Sequence, residues 1–82
     1  MRLSIDERKF LLLAELYRRS NGRSPTWAEL RRGLGLDRGR FAFLALSLRE
    51  RGLVAFSDEA RSLKTTVDGV AAALGRPKRR AA

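Results

Sequence analysis

The stretch SPTWAELRRGLGLDRGRF, residues 24–41, decides the fold of this chain. Thr26 and Glu29 have the spacing of a capping box, in which two side chains satisfy each other's free backbone N–H groups where a helix begins. The glycines that follow, ending with Gly35, stop this helix after about two turns. Asp37 is then suited to cap another helix. A short helix, a tight turn and a second helix are typical of a helix-turn-helix.

The neighbouring segments extend this pattern to three helices. Ser4 and Glu7 form another capping box, which predicts a first helix to about Ser20. The second helix is predicted over about residues 27–34 and the third over residues 37–51, before Gly52. Apolar residues at helical spacing indicate the faces that point to the core: Phe10, Leu13, Ala14 and Tyr17, then Leu30 and Leu34, then Phe41, Leu44, Ala45 and Leu48.

A hairpin and a last helix are expected after the third helix. Residues 53–56 and 62–67 are short, partly β-branched or aromatic runs around a polar turn, and they predict two strands. Thr66 is suited to cap a final helix to about Leu74. Its apolar stripe is expected to contain Val67, Val70, Ala71 and Leu74. We therefore predict a mainly α fold with a small β-hairpin, a winged helix-turn-helix over residues 1–75, and a basic disordered tail over 76–82.

Composition favours a polyanionic partner. The 82 residues carry a formal net charge of +9 and a pI near 11.6, a strong positive bias for one small domain. Fifteen of the 18 basic residues are Arg, whose planar fork suits phosphate recognition. The alternative reading is that the charge only keeps the domain in solution.

Several classes of function are disfavoured by the residue types. The chain has no cysteine and no histidine, which removes thiolate metal sites and the usual general base. The nine carboxylates form no recognisable catalytic motif. We expect no enzyme activity and no cofactor. No apolar run has the length of a membrane span, so we expect no membrane partner and a cytoplasmic, nucleoid-associated protein.

Residues 3–70 resemble a known family. Leu3-Ser4, the loop over residues 22–26, Ala28-Glu29-Leu30 and Leu34-Gly35-Leu36 are similar to the N-terminal DNA-binding domain of the LexA repressors. Arg51-Gly52-Leu53-Val54 resembles the usual junction between recognition helix and wing. Thr66-Val67-Asp68-Gly69 is similar to a step after the wing in MarR-like and PadR-like regulators.

The resemblance has limits that bear on function. These 82 residues lack the self-cleaving protease domain of the LexA repressors, so cleavage-controlled repression is not implied. Residues 37–40 also depart from the LexA-like pattern, and the family's base contacts are not transferred. What the resemblance implies is a winged fold that binds DNA.

We accordingly expect a sequence-specific regulator, such as a repressor, that binds double-stranded DNA. The third helix would enter the major groove, with Arg38 and Arg40 at the end that reaches bases. The wing, residues 54–67, would lie on the flanking groove. The full set of expected DNA-binding residues is Arg23, Ser24, Thr26, Arg31, Arg38, Arg40, Ser47, Arg61 and Lys64.

Exposed apolar residues leave alternatives open. Phe43 and Leu46 lie opposite the core face of the third helix, where they would contact either thymine methyl groups or a protein. Leu12 and Leu16 form a second stripe, covered either by the last helix or by a second subunit. The expected interface residues are Leu12, Leu16, Phe43, Leu46, Val70 and Leu74. We thus expect a homodimer that binds DNA. The two alternatives are a protein-interaction module that acts in transcription and a nonspecific architectural DNA protein.

Overall fold

The computed structural model describes residues 3–57 and 62–75, which form four helices and a two-stranded hairpin. In chain order the elements are α1 (Ile5–Asn21), α2 (Trp27–Leu34), α3 (Arg38–Glu50), β1 (Val54–Ser57), β2 (Ser62–Thr65) and α4 (Val67–Ala73). The predicted order of elements is confirmed, and each end lies within two residues of its expected position. The layout is mainly helical with a small antiparallel hairpin, and it is compatible with a winged-helix-like arrangement. The predicted disordered tail lies outside the described residues.

Local capping explains where the helices begin. The Ser4 hydroxyl accepts a hydrogen bond from the Glu7 N–H at 3.1 Å, and the Glu7 carboxylate accepts one from the Ser4 N–H at 2.8 Å. Thr26 and Glu29 repeat this reciprocal pair at 3.2 and 3.0 Å. Both capping boxes that the sequence predicts are therefore present, and each satisfies two backbone donors that the helix itself leaves free.

The turn between α2 and α3 depends on Gly35. Its backbone is left-handed, with φ 68°, and its N–H donates to carbonyls of the last turn of α2. Glycine adopts this conformation without the cost that a Cβ would bring. Asp37, two residues further on, accepts from the Arg40 N–H at 2.7 Å, so α3 starts at Arg38, three residues after the glycine.

The hairpin is joined by the segment that precedes α2. β1 and β2 pair antiparallel, from Val54 opposite Thr65 to Ser57 opposite Ser62. In addition, the Leu63 N–H donates to the Pro25 carbonyl at 3.0 Å. An isolated antiparallel bridge pairs the next residue, 26, with 62. This contact holds the start of α2 against the hairpin, and it was not predicted from the sequence.

A chain of aromatic contacts runs through the core. Phe10 of α1 stacks on Phe41 of α3 with ring centroids 5.2 Å apart. Trp27 of α2 meets Phe41 at 5.5 Å and Phe56 of β1 at 5.1 Å, edge to face in both cases. The side chains packed around it include buried Leu11, Ala14, Leu30, Leu44, Ala45, Leu48, Leu53, Val54, Leu63 and Ala73.

Most predicted core positions are confirmed. All four predicted inward residues of α3 are buried, as are Phe10, Ala14 and Leu30. The other predicted core residues of α1 and α2 are half-buried rather than enclosed: Leu13, Tyr17 and Leu34. Leu11, which is not among the predicted core residues, is fully buried because α1 has neighbours on more than one side, among them α2, α4 and β2.

The apolar stripe predicted for α4 does not coincide with the buried face of this helix. Val67 is 87% exposed and Leu74 is 46% exposed, whereas Gly69 and Ala73 are buried. The reason is a close approach of two backbones: a Cβ on Gly69 would lie 2.0 Å from the Leu53 carbonyl oxygen. The smallest residue therefore faces inward.

Gly69→Ala and Gly39→Ala give a matched test of this packing. We expect Gly69→Ala to lower the free energy of unfolding by about 1–3 kcal/mol, because backbone must move to admit the methyl group. At Gly39 the new Cβ would lie 3.6 Å from its nearest neighbour, an Asp37 oxygen. Gly39→Ala should then raise the free energy of unfolding by up to about 1 kcal/mol through helix propensity. Urea unfolding followed by circular dichroism measures both; changes of the same sign would contradict the packing described.

Candidate nucleic-acid interface

The outward side of α3 is apolar. At 100° per residue, Phe43 and Leu46 lie opposite the buried face of the helix, and they are 68% and 42% exposed. Glu50 shares this side and is exposed, with no ion pair among the described residues. The face expected to read bases therefore carries two hydrophobic side chains and a carboxylate, and no basic group.

Two arginines of α3 are paired with the first turn of α1. Arg40 donates to the Asp6 carboxylate at 2.8 Å. Arg51, which caps the end of α3, pairs with Glu7 and also donates to the Ser47 hydroxyl at 3.2 Å. These contacts fasten both ends of one side of α3 to α1. Arg40 and Ser47, both predicted to contact DNA, are thus engaged within the domain.

The opposite side of α3 carries Arg38 and Arg49. Arg38 and Arg49 are eleven residues apart and lie within about 20° of each other around the helix. The Arg49 guanidinium lies 4.9 Å from the ring centroid of Phe56, so this side faces the hairpin. Neither arginine has an ion pair among residues 3–57 and 62–75. Arg49 is not among the DNA-binding residues expected from the sequence. Its spacing of eleven residues from Arg38, which puts both on one side of a helix, was visible there.

The carboxylate of Glu29 lies at the start of α2 and carries a negative charge there. The Arg23 guanidinium binds both oxygens of Glu29 at 2.9 Å, and the Tyr17 hydroxyl donates to the same carboxylate. The hydrogen bonds from Arg23 hold the pKa of Glu29 well below its usual range. Glu29 thus occupies the helix end at which Ser24 and Thr26 were expected to receive phosphate, and Arg23 is neutralised.

Two further predicted DNA-binding residues, Arg31 and Lys64, have no ion pair among residues 3–57 and 62–75. Arg31 is half-buried and donates to the Leu36 carbonyl at 3.4 Å, at the α2–α3 turn. Lys64 is exposed on β2, opposite Ala55. Arg61 lies outside the described residues.

A second surface lies between α1 and α4. A groove of about 160 Å³, here called the α1–α4 groove, is lined by Leu12, Glu15, Leu16, Arg19, Val70, Ala73 and Leu74. Leu12 is 41% and Leu16 is 59% exposed. The structure thus brings together four of the predicted interface residues, Leu12, Leu16, Val70 and Leu74. It leaves Phe43 and Leu46 on α3, apart from the groove.

Glu15 contributes a carboxylate to the lining of this groove. Its carboxylate accepts hydrogen bonds from Arg18 at 2.8 and 3.0 Å, from Arg19 at 2.9 Å and from the Thr65 hydroxyl at 2.9 Å. The Arg18 hydrogen bond, which outweighs the opposing effect of burial, lowers the pKa of Glu15 to about 2. This side chain ties α1 to β2.

Within residues 3–57 and 62–75, no three potential ligands from His, Cys, Asp and Glu lie where they would hold a metal ion. No helix in the same residues has both the length and the apolar character that crossing a membrane requires.

Comparison with models of known protein families finds no match, and comparison with curated proteins finds none either. Function is therefore inferred from the geometry and charge of the protein's own surfaces.

Carboxylate pairing predicts a loss of stability in acid. Glu15 and Glu29 both have a pKa below the ordinary value in the folded state, so the unfolded chain takes up protons first as the pH falls. The free energy of unfolding should therefore be largest above about pH 5 and fall towards about pH 2. Glu15→Gln should lower it at neutral pH and make this fall shallower.

Denaturant unfolding at a series of pH values measures the effect. Glu50→Gln is the control, because it removes a carboxylate without an ion pair among the described residues. Equal pH profiles for Glu15→Gln and the unchanged protein would show that the Glu15 hydrogen bonds do not stabilise the fold.

Proposed function

We propose that this protein is a winged helix-turn-helix domain that binds double-stranded DNA and regulates transcription. In this proposal α3 lies in the major groove, and the β1–β2 hairpin lies on the flanking groove as the wing. The order of α2, tight turn, α3 and hairpin supports it, as does the resemblance of residues 3–70 to LexA-like DNA-binding domains. We place such a protein in the cytoplasm, on the nucleoid.

The observation that carries the proposal is a cluster of arginines at the α2–α3 turn. Arg31, Arg32 and Arg38 fall within eight residues, and none of them has an ion pair in the described part of the chain. This turn is the part of a helix-turn-helix that approaches the groove. Together with a net charge of +9, it would give a binding energy dominated by phosphate contacts and sensitive to salt.

Arg38 is the best candidate for a contact that selects sequence. It is exposed at the first residue of α3, from where an arginine can reach a guanine edge with two hydrogen bonds. Arg40 is held at 2.8 Å by Asp6. For Arg40 to reach DNA, it would have to leave this carboxylate, and the free Asp6 would then repel nearby phosphate.

Arg38→Ala and Arg40→Ala test this assignment. A preferred duplex is first selected from a random pool at physiological salt, and its affinity for each variant is then measured. Arg38→Ala should weaken binding to the preferred duplex by about 1–3 kcal/mol and make the protein less selective among sequences. Arg40→Ala should have a smaller effect. Unchanged affinity in Arg38→Ala would remove Arg38 from the site.

The selection itself tests the wider proposal. Enrichment of one site is expected for a sequence-specific regulator. Equal affinity for all duplexes would instead support a nonspecific architectural DNA protein. Absence of binding at low salt would overturn DNA binding altogether.

A second candidate function is favoured by the outward side of α3. Phe43, 68% exposed, and Leu46, 42% exposed, form an apolar surface that would dock on another protein, such as a component of the transcription machinery. Phe43→Glu separates the two candidates. If this face docks a protein, Phe43→Glu abolishes that complex and leaves DNA affinity unchanged. If the face lies in the major groove, the new carboxylate weakens DNA binding.

We also propose that two copies associate through the α1–α4 groove. The groove exposes leucines from both α1 and α4, and a domain of this size gains stability from a shared core. A two-fold dimer would present two α3 helices to half-sites about one helical turn apart on the DNA.

Leu16→Glu should convert this dimer to a monomer, because it places a charge in the apolar groove. Val67→Glu is the control: Val67 is 87% exposed and does not line the groove. Sedimentation velocity over a concentration series distinguishes the two states. A monomeric unchanged protein at every concentration, or a dimer that survives Leu16→Glu, would contradict the assignment.

A further inference from the structure

The arginines along α3 differ in whether this chain already neutralises them. Arg40 and Arg51 face carboxylates of α1. A phosphate that approached either one would also meet Asp6 or Glu7, so its net attraction would be small. Arg38 and Arg49, on the side that faces the hairpin, have no such compensation among the described residues.

Arg49 is moreover held in place by an aromatic ring. Its guanidinium lies 4.9 Å from the centroid of Phe56, a cation–π contact. Phe56 is half-buried and packs against Trp27 at 5.1 Å, so the ring belongs to the core and is fixed by it. The guanidinium donates no hydrogen bond to a described residue, which leaves its donors available for an anion. A charged group ordered in advance loses less conformational entropy when a ligand binds.

The dimensions of DNA place such side residues at its backbone. An α-helix with its side chains is about 10–12 Å across, and the major groove is about 12 Å wide. A helix in the groove therefore points its outward face at the bases and its two sides at the phosphates on the walls. Arg38 and Arg49 lie on one of these sides, separated by about 16 Å along the axis of α3.

We propose that Arg49, held on the ring of Phe56, binds a backbone phosphate, and that the DNA strand runs along the hairpin-facing side of α3 from Arg38 to Arg49. This inference rests on the proposed binding of double-stranded DNA. Arg40 and Arg51 are then positioning residues that fasten α3 to α1. The site takes a phosphodiester and contributes affinity at every sequence, because a phosphate contact carries no base information.

The test is the salt dependence of duplex binding for variants that all remove one positive charge. Arg49→Gln should weaken binding to every duplex by about tenfold or more at low salt, because one hydrogen bond to a charged group is lost. It should also reduce the slope of log K against log salt by about one. Arg51→Gln should leave the slope unchanged, since Glu7 already compensates the positive charge of Arg51.

Two further variants make the test specific. Arg19→Gln removes an exposed charge paired with Glu15 on α1, and it serves as a control that does not touch α3. Phe56→Leu keeps the charge of Arg49 but removes the ring, so it should weaken binding while the slope stays the same. Circular dichroism establishes that each variant is folded.

The outcomes separate this inference from the proposed function. If the unchanged protein binds no duplex, DNA binding fails and the phosphate site fails with it. If the unchanged protein binds DNA and Arg49→Gln behaves like Arg51→Gln and Arg19→Gln, the effect is one of net charge only. The site at Arg49 is then overturned, while DNA binding stands.

Discussion

Ring contacts connect four segments that are far apart in the sequence, and the positions of the other elements follow from them. Phe10, Phe41, Trp27 and Phe56 meet in order at 5.2, 5.5 and 5.1 Å, joining α1, α3, α2 and β1. Aromatic pairs contribute about 0.5–1.5 kcal/mol each beyond the burial of their area. Exposed ion pairs such as Arg40–Asp6 contribute about 0–1 kcal/mol. Aromatic packing therefore sets the angle between α2 and α3 and the distance of both helices from the hairpin. The weaker ion pairs make only small adjustments to these positions.

The carboxylates that pair with arginines are unevenly distributed over the surface. Asp6, Glu7 and Glu15 all lie on α1, and each pairs with arginine; Glu29 does the same at the start of α2. The three carboxylates of α1 are thus all paired, whereas the arginines of the α2–α3 turn and of the hairpin-facing side of α3 have no ion pair among residues 3–57 and 62–75. A polyanion would be attracted to that side, and the asymmetry would orient the domain as it approaches.

Two apolar surfaces remain exposed, and their shapes differ. The outward side of α3 is convex and carries Phe43 and Leu46, whereas the α1–α4 groove is concave and lined mainly by leucine, valine and alanine. An apolar patch on a small domain usually marks a contact. A groove built from both terminal helices leaves α3 free, so association there is compatible with DNA on the other surface.

The sequence by itself determined the local features: both capping boxes, the order of the elements, the bounds of α2 and the buried face of α3. These depend on residues three or four apart, where the physics of a single helix is sufficient. Only the tertiary structure decided which arginines are paired with carboxylates, since Arg40 and Asp6 are 34 positions apart. It also decided that Gly69 faces Leu53, against the apolar stripe expected for α4, and that Phe56 supports Arg49. Contacts of this kind arise when the aromatic core brings distant segments together, and no local pattern encodes them.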